Sequence, residues 1–88
     1  MKTIMKPIKV IAWFNEKGSV EPVKFQFTEV DGDTLAVKVD RIIFHSEAKN
    51  IAGNKIYTYR CQSVIKGVEK VYELQFEIKT CAWKLCRI

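Results

Sequence analysis

The chain has 88 residues, 48% of them hydrophobic, with 15 basic side chains against 10 acidic ones and a net charge of +5. That is one domain's worth of chain, able to bury about 60% of its unfolded surface, and too apolar for a disordered polymer. No stretch approaches the ~18 apolar residues of a membrane helix, and "MKTIMKPIKV" lacks the continuous apolar core and small-residue cleavage site of an export signal.

The apolar period is two almost throughout, which is the pattern of strands with one face on a core. The segment before Pro7 carries a second methionine, Met5, and residues 1–5 are expected to be a flexible extension. A first strand spans Pro7–Phe14, and "NEKGSVE", 15–21, is a polar loop. The second strand, Pro22–Val30, sets Val23, Phe25 and Phe27 on one face and Lys24, Gln26 and Thr28 on the other, then ends at the turn "DGD". The third, Thr34–His45, begins with Leu35, Val37 and Val39 in phase, then shifts phase to Ile42 and Phe44. A bulge near Asp40 and Arg41 accounts for such a shift.

The segment "SEAKNIAGN", 46–54, holds helix formers before Gly53-Asn54 and predicts one short helical turn over 46–52. The fourth strand is Lys55–Ile65, and "KGVE" links it to the fifth, Lys70–Lys79. In "VYELQFEIKTCAWKLCRI" the residues Tyr72, Leu74, Phe76 and Ile78 share a face, "KTCA" reverses the chain, and the sixth strand, Trp83–Arg87, returns beside the fifth. Turn-linked strands at regular spacing predict an all-β antiparallel meander of six strands, curled into a closed or partly open small barrel that hides its edges. The alternative is a single curved sheet covered by a short helix from 46–52. The predicted core is Val10, Val23, Phe25, Phe27, Leu35, Val37, Val39, Tyr72, Leu74, Phe76, Ile78 and Leu85.

"AGNKIYTYRCQS" followed by "GVEKVYELQFEIKTCAWKLCRI" resembles a group of small, uncharacterised bacterial all-β proteins whose mark is a Tyr-Glu-Leu strand followed by a Trp-x-Leu strand. The early "PVKFQF" is similar to the proline-led strand of that group. The resemblance covers most of residues 7–88 and implies no assigned activity and no catalytic residue.

Chemistry-bearing residues are few. Cys61, Cys81 and Cys86 make an odd count, which with no export signal points to a reduced, cytoplasmic protein. With His45 they make four candidate zinc ligands, but the closest pair is separated by four residues and the others are remote. Structural zinc sites use tighter cysteine pairs, so no metal and no cofactor is expected. A Cys–His nucleophile would need His45 beside a thiol on a neighbouring strand. Glu73 and Glu77 lie roughly 13 Å apart along a strand, too far to act on one bond. The expected function is therefore non-catalytic.

The leading expectation is a binding module for a protein partner, or for self-association. The first and last strands are the expected edges. Trp13 becomes an exposed anchor if Ile8, Val10, Ala12 and Phe14 face inward. The second expectation is weak binding of single-stranded nucleic acid, by aromatics beside basic side chains. Residues 45–88 carry 8 bases and 4 acids, against 7 and 6 in residues 1–44. The candidate residues are accordingly Lys55, Tyr57, Tyr59, Arg60, Trp83, Lys84 and Arg87.

Overall fold

A computed structural model describes all 88 residues. It contains seven strands and no helix: β1 (Thr3–Phe14), β2 (Val20–Thr28), β3 (Thr34–Lys38), β4 (Arg41–Lys49), β5 (Lys55–Ile65), β6 (Val68–Glu77) and β7 (Ala82–Arg87). They form one antiparallel sheet in the order β3-β2-β1-β7-β6-β5-β4, so the all-β expectation holds while the sheet is not closed.

Two long courses of chain let the sheet curl. The first half of β1 pairs with β7, from Thr3 opposite Arg87 to Ile8 opposite Trp83. Its second half pairs with β2, from Lys9 opposite Gln26 to Phe14 opposite Val20. The second course is the predicted strand Thr34–His45. It breaks at Val39–Asp40, beside the expected phase shift, and its two parts take different partners. The Val39 amide donates to the Val23 carbonyl at 2.9 Å, and the Asp40 amide to the Gln62 carbonyl at 3.1 Å. β3 therefore belongs to β2, and β4 to β5. The Asp40 carboxylate caps the corner by accepting from the Val64 amide at 3.0 Å.

Four expectations about these elements are corrected. Residues 46–52 form no helical turn. Ser46–Lys49 continue β4 in register with Lys55–Thr58, and the reversal is confined to Asn50–Asn54, where the Asn50 side-chain oxygen accepts from the Asn54 amide at 3.0 Å. A strand partner satisfies every other amide of the segment, which weak helix propensity cannot match over so short a run. The first and last strands are not edges. They pair with each other, as far as the Lys2 amide on the Ile88 carbonyl at 2.7 Å. For the same reason β1 begins at Thr3 rather than Pro7. The link after β5 is shorter than "KGVE": Ile65 already faces Val68, and Lys66 and Gly67 turn the chain with φ of 51° and 77°. Positive φ at both central residues is what the tightest hairpins require.

The core is Val20, Phe25, Val37, Tyr59, Cys61, Tyr72, Leu74, Phe76, Trp83 and Leu85, with Val10, Phe27, Leu35 and Val39 packed partly buried against it. Two predicted core residues lie outside it. Val23 is the extra residue of the bulge between Ile11 and Ala12, and Ile78 lies past the end of β6. Phe14, expected inward, is 65% exposed. Phe25 of one half-sheet meets Tyr72 of the other with ring centres 5.2 Å apart. One polar chain crosses this core. The Ser63 hydroxyl donates to the Lys38 carbonyl at 2.6 Å, which leaves the Tyr72 hydroxyl to donate to Ser63 Oγ at 2.6 Å. It ties the end of β3 to β5 and β6, and leaves no buried hydroxyl there unpaired.

Candidate functional site

Where the sheet fails to close, a cleft of about 700 Å³ lies between the β1–β2 turn and the inner faces of β4 and β5. Its floor is Tyr57 and Tyr59 of β5; His45 and Glu47 of β4 and Glu21 of β2 stand around it. The His45 and Tyr59 rings are 5.7 Å apart. The Tyr59 hydroxyl is committed, donating to the Val20 carbonyl at 2.5 Å. Burial first, then the neighbouring Tyr57 and Glu21, push its pKa up to about 12. Glu47 is held at 2.9 Å by Lys55, whose own pKa is raised by that contact.

The thiols stand apart from this cleft. Cys61 is wholly buried and lies opposite Ile42 rather than His45, and burial pushes its pKa up to about 12. Cys86 is buried in a bulge of β7 with its pKa also raised by burial, and Cys81 is exposed in the last turn. A thiol shifted upward is the neutral, packed kind rather than an activated nucleophile. The structure brings no three His, Cys, Asp or Glu side chains together as metal ligands.

The seven residues expected to bind nucleic acid are divided by the pleat. Tyr59, at 3% exposed, and Trp83, at 9%, are core residues, so neither presents a face for a base to stack on. Tyr59 shares its strand parity with the buried Cys61 and Ser63, and Trp83 shares its own with the buried Leu85, so both point at the core. Tyr57 lines the cleft, and Lys55 pairs with Glu47. On the opposite face, Arg60 donates to Glu73 through Nε and Nη2 at 3.1 and 2.7 Å. It also lies 5.1 Å over the Phe44 ring. Arg87 approaches the same carboxylate at 3.7 Å. Lys84 sits opposite Gln75. The charge excess of the second half is thus partly neutralised where the arginines stand.

Two features escaped the sequence reading. The first is β4, the long edge of the sheet, which has only β5 as a partner and is exposed at eight of its nine residues. After a bulge at Ile43 it runs in unbroken register from Phe44 to Lys49. The second is the outer face of β1, β2 and β3. Lys9, Ile11 and Trp13 alternate along β1, Lys24 and Gln26 along β2, and Ala36 and Lys38 along β3, all of them exposed. The alternation of Lys24 and Gln26 against Phe25 was visible in the sequence; the pairing that gathers three strands' lysines was not.

The chain matches no protein-family model, no curated protein and no solved structure. Nor does any helix of the fold have the length and apolarity to cross a membrane.

Proposed function

We propose that the protein is a non-catalytic interaction module that self-associates through β4. The observation that carries this reading is the free edge Phe44–Lys49, six residues in unbroken register with no partner on one side. Such an edge templates another strand unless charge or distortion blocks it, and the bulge at Ile43 distorts only its beginning.

The pleat restricts how two copies could meet. Opposed residues must share a face, so a two-fold axis must fall on a residue. An axis on Glu47 would oppose two carboxylates and set His45 against Lys49, whereas an axis on His45 would oppose two imidazoles. An axis on Ser46 sets His45 opposite the second copy's Glu47, and Phe44 opposite its Ala48, twice over. An axis on Ala48 pairs Glu47 with Lys49 but uses only the strand end. The Ser46 register engages the most residues without opposing like charges. Three free thiols accord with the reducing cytoplasmic setting proposed for it.

Sedimentation equilibrium tests the reading: a concentration-dependent dimer is expected. Ser46→Lys, which sets two ammonium groups on the axis, should dissociate it. Glu47→Lys should do the same, and adding His45→Glu should restore the dimer with the charges reversed. A chain that stays monomeric up to about millimolar, or a dimer indifferent to Ser46→Lys, would overturn the proposal.

A further inference from the structure

The outer face of β1, β2 and β3 separates its charges in an unusual way. Its lysines stand on the strands, whereas five of the six acids of the same half sit in connections, with only Glu21 on a strand: Glu16 in the β1–β2 turn, Glu29, Asp31 and Asp33 between β2 and β3, and Asp40 at the β3–β4 corner. Lys24 lies directly opposite Lys38. Lys9, opposite Gln26, is the diagonal neighbour of Lys24. The three form a row across adjacent strands that spans roughly 10 Å. None of them takes part in any of the four ion pairs of the fold. Like charges directly opposite each other destabilise a sheet, and here no carboxylate offsets them.

The same face carries exposed apolar surface. Ile11, 61% exposed, is opposite Lys24. Trp13 follows one pleat further along, at 69% exposed. A shallow depression of about 340 Å³ runs among Lys9, Ile11, Lys24, Gln26 and Ala36. Two carboxylates stand at that end, Glu21 opposite Trp13 and Glu16 in the β1–β2 turn.

We infer that this face binds single-stranded nucleic acid, with Lys9, Lys24 and Lys38 on phosphates and Trp13 stacked on a base. A row of unneutralised lysines recognises a phosphate backbone. The flat indole beside it recognises what a single strand exposes and a duplex hides, the face of a base. A purely acidic protein partner would use the lysines and leave Trp13 idle. The site lies on strands other than β4, so it stands whether or not the chain dimerises.

The test is fluorescence titration with a fluorescein-labelled oligothymidylate of twelve nucleotides, alongside a duplex of the same length and poly-glutamate. Three phosphate contacts predict a log–log salt slope of about −2. Lys24→Glu with Lys38→Glu should weaken binding more than tenfold and flatten that slope. Trp13→Ala should weaken it about tenfold and leave the slope unchanged, a signature that loss of charge does not give. In the unaltered protein the exposed indole should be quenched by the oligonucleotide and the buried Trp83 spared, which reads stacking without a substitution. Arg87→Glu, opposite Glu73 on β6 and Thr3 at the start of β1, should change affinity little. Absence of binding at low salt would overturn the inference. So would a duplex or poly-glutamate binding as tightly as the single strand, or binding that survives Lys24→Glu with Lys38→Glu.

Discussion

On the outer surface of β5, β6 and β7 both arginines face a carboxylate; on that of β1, β2 and β3 no lysine does. Arg60 and Arg87 converge on Glu73, whose side chain is 12% exposed, and Phe44 covers the guanidinium of Arg60. Each of those charges is hydrogen-bonded or ion-paired and partly withdrawn from water, so the face contributes to holding β5, β6 and β7 in register. Lys9, Lys24 and Lys38 hold nothing together. Composition alone points the other way, because the second half of the chain has the larger excess of bases. Net charge describes a segment, whereas binding depends on charges left unpaired on one face.

The comparison breaks most severely where the core that supports both faces is removed. Phe76 is buried, faces Trp83 across the closing hairpin with ring centres 4.8 Å apart, and meets the exposed Phe14 edge-on. Phe76→Ala should cost about 3–5 kcal/mol, and most of the stability of a domain this small. Phe14→Ala, on the exposed side of the same contact, should cost well under half as much. Urea unfolding of the two variants checks this, and equal losses would mean that the closing hairpin is not the centre of the core.

High pH acts on the same core through protonation. Burial lifts the Cys61 thiol from near 9 to about 12 and the Tyr59 hydroxyl from near 10 to about 12. The unfolded chain therefore gives up these protons first as pH rises. Between about pH 9 and 12 the folded state holds more protons than the unfolded one, so stability falls as pH rises, by up to ~1.4 kcal/mol per pH unit for each group. Below pH 9 both groups are protonated in both states and add no slope. Urea midpoints measured from pH 7 to 11 should stay level and then drop. Cys61→Ala should make the drop shallower, whatever it costs at pH 7.

Much of this arrangement was legible from the alternation of residues. "VYELQFEIK" set Tyr72, Leu74 and Phe76 on the core, and the phase change before Ile42 marked the corner at Val39–Asp40. The sites were less legible, because exposure is a property of pairing. Tyr59 and Trp83 read as ligand aromatics until strand parity aimed them inward. Trp13 read as exposed, as it is, but only the pairing of β1 with β2 and β3 set it near lysines. The helical reading of 46–52 weighed helix formers without knowing that Lys55–Thr58 would offer those amides a strand.

A smaller effect sharpens the contrast from the neutralised side. Glu73→Gln removes the shared partner of Arg60 and Arg87 and should cost about 1.5–3 kcal/mol, the range for hydrogen bonds to charged groups. It should also leave two guanidinium groups facing water. If lack of neutralisation is what makes a face basic, this variant should bind heparin-Sepharose more tightly than Glu69→Gln, an exposed exchange that changes net charge equally but frees no arginine. Equal retention would show that net charge governs, and that the pairing on the face does not.

The smallest expected change has the opposite sign. Lys24 and Lys38 face each other with no carboxylate between them, so replacing one by a neutral residue of similar length should stabilise the fold. Cross-strand pairs contribute roughly 0.2–1 kcal/mol, and Lys24→Gln should gain an amount in that range. The gain should shrink in 1 M salt, where the screening length falls to ~3 Å. The Gln variant should gain nothing further from Lys38→Gln, since the repulsion is already gone. A double-mutant cycle on urea midpoints at low salt measures this coupling directly. A cycle that closes to zero would mean the two ammonium groups splay apart into water without strain. A positive coupling would mean that the unliganded sheet carries a repulsion that only an anion relieves, which is how a surface built for phosphate differs from one that is merely solvated.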